Sequence, residues 1–185
     1  MGDWSQSLVD VEVSAEDAPE LGARLTRWLV DTGVIMAEQS DCVLGTPLGH
    51  PPGPNYGRAV GGTEPAPVLW TNGAAISVGR VVSHSYEPEA LACRYCGHQE
   101  VLALNDQKLQ VAFAAIGDWA DGGVGAIPCP SCSAANDVNG WDWKPTWGFG
   151  LLTMEVWNWN PLAPEFIADV SGFLGHRVVY TNFKL

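Results

Sequence analysis

Apolar and polar residues alternate along SLVDVEV, residues 7 to 13, with Val9, Val11 and Val13 on one side and Leu8, Asp10 and Glu12 on the other. A period of two predicts a half-buried strand. The period then lengthens. Leu21, Leu25, Trp28 and Leu29 recur at helical spacing, Asp17 and Glu20 have the spacing of a capping box, Pro19 falls in the first turn, and Gly33 follows the end. These signals predict an amphipathic helix. VIMAEQSDCVL, residues 34 to 44, reads as a second strand, so the opening unit is β-α-β. The far end repeats the order. LLTMEVWNW predicts a strand, PLAPEFIADVSGFLG a helix with Phe166, Ile167, Val170, Phe173 and Leu174 on one side, and HRVVYTNF a closing strand. The units share letters: Glu12-Val13 and Ala18-Pro19-Glu20 correspond to Glu155-Val156 and Ala163-Pro164-Glu165.

Two such units pack naturally as one antiparallel sheet with both helices on a single face, an α+β arrangement. In element order the chain resembles the ferredoxin-like superfold, as a duplicated β-α-β sheet. That fold hosts too many activities to imply one. On this reading residues 1–43 and 148–185 form the sheet domain, 44–67 a loop, 68–90 additional strand, and 91–147 an inserted module. Residues 45 to 67 hold six prolines and six glycines among 23, a composition that excludes a helix or central strand. NGAAISVGRVVSHSY alternates, with Ile76, Val78, Val82 and Tyr86 on one face and Ala75, Ser77, Gly79 and Ser83 on the other.

The specific chemistry lies in ACRYCGHQE and IPCPSCSAAN. Cys93, Cys96, Cys129 and Cys132 form two C-x-x-C pairs, and Gly97 directly after Cys96 suits the positive backbone dihedral of a metal knuckle. Tight turns let two sulfurs converge on one ion. Residues 91 to 134 thus resemble a zinc-ribbon module, and the resemblance implies structural zinc on these four cysteines. The module departs from the simplest pattern, because 32 residues separate Cys96 from Cys129. Leu109, Ala112, Phe113, Ile116 and Trp119 recur helically within that span, with Asn105 as N-cap and Gly122-Gly123 as the stop, so a helix is expected inside the ribbon. The competing reading of Cys129-Pro-Ser-Cys132 is a redox dithiol, which the presence of a second pair disfavours. His98 is expected beside the site and not in it.

Charge narrows the function. The formal net charge is −12, and residues 1 to 41 carry nine acids against Arg24 and Arg27. Such a field opposes phosphate backbones, and residues 91 to 140 add five acids against Arg94 and Lys108, so nucleic-acid binding through the ribbon is the weaker alternative. No apolar run reaches the ~18 residues of a membrane span, and no signal peptide opens the chain, which leads to the expectation of a soluble cytoplasmic protein. The composition is similar to that of small acidic bacterial immunity or inhibitor proteins. His50, His84 and His176 form no recognised pair, and no G-x-S-x-G occurs. The leading expectation is a zinc-stabilised module that binds another protein. A small-molecule enzyme with residues 45–67 as lid, using His50 or His84, is the alternative.

Five of the nine tryptophans fall between Gly140 and Asn160. Trp141, Trp143 and Trp147 are expected to pack the metal module against the sheet. Period-two geometry places Trp157 and Trp159 beside Glu155 on the face away from the helices, a candidate partner surface.

Overall fold

A computed structural model describes residues 2–45 and 48–184, so residues 46 and 47 of the expected loop lie outside the described residues. The chain is of mixed α+β class with two antiparallel sheets. The larger has the order β2-β6-β1-β7, built from β1 (Trp4–Asp10), β2 (Gly73–His84), β6 (Trp147–Trp157) and β7 (Val178–Lys184). The smaller has the order β4-β3-β5, from β3 (Ala90–Cys93), β4 (Gln99–Val101) and β5 (Trp141–Lys144). Four α-helices accompany them among the described residues: α1 (Ala18–Asp31), α2 (Gly57–Val60), α3 (Gln107–Ala120) and α4 (Pro164–Leu174), of which the single turn α2 forms within residues 45–67, where composition predicts none, because Arg58-Ala59-Val60 holds no proline.

Both long flanking helices form where periodicity places them. Pro19 opens α1, but no Asp17–Glu20 capping box forms: Asp17 pairs instead with Ser14, its backbone N–H donating to Ser14 Oγ at 3.1 Å and its Oδ2 accepting from that hydroxyl at 2.6 Å. Helix α4 begins at Pro164 and stops at Gly175, whose φ of +74° suits glycine. Leu21, Leu25 and Leu29 of α1 and Phe166, Val170 and Leu174 of α4 meet Leu8, Leu152, Met154 and Val156 from the sheet in the first core. Gly22 permits close packing, since a Cβ there would stand 3.1 Å from Leu152 and Val78.

The expected strand over residues 34–44 is absent. That segment makes only isolated bridges, Ile35 to Pro52 and Ser40 to Gly49, and the strand that follows α1 in the larger sheet is β2, some forty residues downstream of α1. The reason is local competition: the Gly/Pro-rich segment folds back on residues 33–40, with Gly53 N–H donating to Val34 at 2.8 Å and Met36 N–H to Pro51 at 2.8 Å. Residues 48–56 therefore occupy the partners a strand at 34–44 would need.

The faces of β1 also differ from expectation. Leu8 enters the helix-side core, whereas Val9 is buried on the opposite side. As a central strand between β6 and β7, β1 is covered on both faces, so alternation carries little information about which is which. The strand ends at Asp10, whose Oδ1 accepts the backbone N–H groups of Glu12 and Val13 at 3.0 Å each. In β2 the register slips between Val78 and Val81, at Gly79 with φ +129°, so Ile76 packs on the first core while Val82 packs on a second. Beyond that slip the ends of β2 and β6 lean over the sheet. Ser83 Oγ meets Thr181 Oγ1 at 2.7 Å, joining opposite edges.

Trp159 lies in the helix-side core, not beside Glu155. Asn158 adopts φ +55°, which breaks the two-residue period, and Trp159 packs edge-on against Tyr56 with ring centroids 4.9 Å apart. We expect Trp159→Ala to cost about 3–5 kcal/mol in urea unfolding, and the exposed Trp70→Ala to stay within about 0.5 kcal/mol. Equal costs for the two would contradict this placement.

Candidate metal centre

Cys93 closes β3, and the turn from Cys93 to His98 leads into β4. The backbone makes the knuckle: Gly97 N–H donates to Cys93 C=O at 2.8 Å and Cys93 N–H to His98 C=O at 2.8 Å. The second knuckle repeats both bonds at the same spacings. Ser133 N–H donates to Cys129 C=O at 2.9 Å and Cys129 N–H to Ala134 C=O at 3.1 Å. Gly97 has φ +75° and Ser133 φ +57°, so a left-handed residue directly follows the second cysteine of each pair. Serine there carries no signal in the sequence, and only the structure reveals the equivalence.

The four sulfurs lie within 4.8 Å of one another. Cys93 Sγ is 3.9 Å from Cys132 Sγ, and Cys96 Sγ is 3.7 Å from Cys129 Sγ. All are free thiols; Cys93 and Cys129 are buried, while Cys96 and Cys132 reach the surface. Sulfurs at tetrahedral corners about 2.3 Å from an ion stand about 3.8 Å apart, so this donor set can hold a metal.

Asn136, missed by sequence reading, supports the cluster. Its buried amide donates to Cys93 Sγ at 3.3 Å. Burial pushes the Cys93 thiol up, but the Asn136 amide and the backbone N–H groups of Cys96 and Tyr95 outweigh it and bring the thiol down to about 6. At Cys132 the Ala134 backbone N–H pulls the other way, yet burial and the three neighbouring thiols push it up to about 12. One thiolate forms easily and the last resists, because negative charge accumulates at one point. A cation at the centre removes that conflict and displaces the remaining protons. His98 stands outside the sulfur set, bonded to Glu100 Oε1 at 2.6 Å, while Lys108 pairs with the other oxygen of Glu100.

The knuckles grow from a second hydrophobic core. It contains Cys93 and Cys129 themselves, with Leu91, Leu102, Ala112, Ala115, Trp119, Ile127, Val138, Trp141, Trp143, Trp147 and Phe149. Three indoles each satisfy a backbone carbonyl: Trp141 Nε1 donates to Ile127 at 2.8 Å, Trp143 Nε1 to Val138 at 2.7 Å, and Trp147 Nε1 to Tyr86 at 2.9 Å. Trp147 and Phe149 belong to β6, so this core is shared with the larger sheet. Helix α3 supplies one wall. Its N-cap is Asp106, whose side chain accepts from Lys108 N–H at 3.1 Å, and not Asn105, which has φ +67°. Its buried stripe runs through Ala112, Ala115 and Trp119, leaving Phe113 exposed. Arg80, projecting where β2 slips register, closes the helix C-terminus by donating to the carbonyls of Trp119, Gly122 and Gly123, with its guanidinium 4.7 Å above the Trp119 ring.

The other candidate residues are dispersed. His50 is buried, with Nδ1 on Met36 C=O at 2.9 Å, and pairs with Ala74 at one end of β2. His84 stacks on Trp147 at the other end of that twelve-residue strand, with centroids 4.3 Å apart, so the two histidines do not converge on a cavity. His176 Nδ1 contacts buried Asp10 Oδ2 at 2.8 Å. Trp157 is 8% exposed, packed with Cys42, Val43 and Ala75, and Trp159 is 1% exposed. Both rings are covered by this chain itself. Glu155 is half-buried and accepts from Trp157 Nε1 at 3.1 Å. No helix among the described residues is long and apolar enough to cross a membrane.

Replacing Asn136 by leucine keeps volume but removes the donor to Cys93, so metal affinity falls about 10-fold or more in competition with a chromophoric chelator. Protons compete with metal for the thiolates, so lowering pH releases the ion. Asn136→Leu, with a less stabilised thiolate, is expected to release it at a higher pH than the parent. Identical release profiles would remove Asn136 from the account.

No family model, curated protein or solved structure matches the chain, so its functional reading rests on the chemistry of its own residues.

Proposed function

We propose that this chain is a small acidic protein-interaction module, of the inhibitor or immunity type, whose inserted segment is stabilised by one structural zinc ion on an elaborated ferredoxin-like sheet. Four sulfurs at tetrahedral spacing support zinc. Four protein ligands fill the coordination sphere and leave no position for water or substrate, which favours a structural role over a catalytic one. The sheet order β7-β1-β6-β2, with α1 and α4 sharing one core, supports the ferredoxin-like plan with residues 91–147 inserted before β6.

The observation that carries the interaction reading is Trp70. It is 77% exposed, the one exposed tryptophan of the nine, and it follows exposed Val68 and Leu69 on the segment between α2 and β2. Tryptophan is a leading anchor residue at interfaces, and three consecutive exposed apolar residues are costly to hydrate. Acids flank the run: Asp41 Oδ2 accepts from Trp70 Nε1 at 3.3 Å, and Asp3 Oδ1 accepts from Thr71 Oγ1 at 2.6 Å. An apolar pocket rimmed by lysine or arginine is the complementary partner surface.

Metal analysis of reduced protein should find about one zinc per chain, and chelation or Cys93→Ser should loosen residues 91–147 in hydrogen exchange while α1 and α4 remain protected. Iron, which four thiolates also accept, would colour the protein and overturn the metal identity. For the partner, a photo-cross-linking residue at position 69 identifies what docks there. Trp70→Ala should then weaken binding by about 2 kcal/mol or more, roughly 30-fold, without loss of stability. A cross-linked protein that binds Trp70→Ala as tightly would sink this reading.

A further inference from the structure

The second core does not close on the side where α3 begins. A cleft of about 390 Å³ opens there, and none of the four cysteines lines it. Its floor is made of core residues: Leu91 from β3, Leu102 just after β4, Ile127 two residues before Cys129, and Trp141 from β5, each 6% exposed or less. The rim is apolar as well. Val111 of α3, 46% exposed, and the exposed Pro128 and Pro130, which flank Cys129 in sequence, carry the lining out to the surface.

Size and charge decide what fits. An apolar cavity of about 150 Å³ already admits benzene, and clefts of about 300–1,000 Å³ with mostly apolar walls are the usual form of a small-molecule site. The charged groups at this cleft are Glu100, Lys108 and Asp106, and each is already engaged. Glu100 pairs with Lys108 through one oxygen and meets His98 Nε2 at 2.6 Å through the other, while Asp106 Oδ1 accepts from the Lys108 backbone N–H at 3.1 Å. A charged ligand must break that set or give up its hydration without a partner. A peptide, with an N–H and a C=O at every residue, meets the same cost. An uncharged ring surrenders little hydration and gains the apolar walls.

We propose that this cleft binds a free, uncharged aromatic molecule of one or two rings, carrying no more than a hydroxyl, against Trp141, Val111 and the two prolines. Its volume takes such a molecule, its floor supplies an indole for ring packing, and its charges ask for no counter-ion. The proposal rests neither on the partner reading at Trp70 nor on the identity of the metal.

The test titrates the full-length reduced protein, as isolated and with ¹⁵N-labelled tryptophan, with 2-naphthol. The Trp141 indole N–H, which donates to Ile127 C=O at 2.8 Å within the lining, is the reporter. 2-Naphthol should move this resonance saturably. Val111→Trp, which fills the cleft from its exposed rim, and Val111→Arg, which sets a charge there, should each weaken binding tenfold or more, with the Trp143 and Trp147 indole resonances checking that both variants are folded. Leu104→Ala, at a position 86% exposed and outside the lining, should leave binding unchanged. 2-Naphthoate and 2-naphthylmethylammonium should bind at least tenfold more weakly than 2-naphthol. No saturable movement, parent-like binding by the folded Val111 variants, or an equal loss in Leu104→Ala would overturn the site. Equal affinity for either ion would overturn its chemistry, and a blocked Gly-Trp-Gly peptide that binds as tightly as 2-naphthol would overturn its assignment to a free molecule.

Discussion

Four sulfur atoms held within 4.8 Å of one another are the constraint on which the second core of this molecule depends. Thiolates at that spacing repel, and thiols at that spacing have little reason to converge unless a cation binds them. Convergence fixes two turns separated by the whole of α3, and the second core assembles between them. Cys93 and Cys129 are members of that core, so the cluster able to hold a metal and the apolar packing share the same side chains. Trp147 and Phe149 then extend it onto β6, and Arg80 ties β2 to the end of α3. The four-cysteine segment is thereby anchored to the larger sheet through the shared core and through two arginines, Arg80 and Arg177, the latter donating to Asn139 C=O at 3.3 Å.

That anchorage shapes the second face of the sheet. One end of the face is closed by the second core over Trp147 and Phe149, and the other by residues 42–44 over Trp157 and Ala75. Gly73 is required beneath this cover, since a Cβ there would lie 2.2 Å from Cys42 Sγ. Between the two covers lie the buried hydroxyls of Ser7, Thr153 and Thr181 beside half-buried Glu155, while the other face of β6 turns Leu152, Met154 and Val156 into the first core.

Legibility followed the range of the interactions involved. Helices α1 and α4 were readable because proline, glycine and a 3.6-residue period act within a few residues. The four-cysteine cluster was readable because C-x-x-C spacing is itself the geometry of a knuckle. Residues 34–44 looked like a strand, since their apolar content suits one, but the pairing partner was taken by residues 48–56, a fact that only tertiary structure contains. Trp159 was misplaced by a single backbone angle at Asn158, and Val82 by the slip at Gly79. Neither leaves a trace in hydrophobic pattern. Ser133 and Asn136 belong to the site through a left-handed turn and an N–H···S contact, and both are ordinary residues in sequence. Trp70 was legible as an aromatic residue but not as an exposed one.

The central claim is a closed coordination sphere of four sulfurs. X-ray absorption at the zinc edge on the native, reduced protein tests it most directly. The account predicts a single shell of four sulfurs at about 2.3 Å with no nitrogen or oxygen neighbour. A shell containing water, a histidine nitrogen or fewer than four sulfurs would contradict it, because the site would then be open and a catalytic role would return.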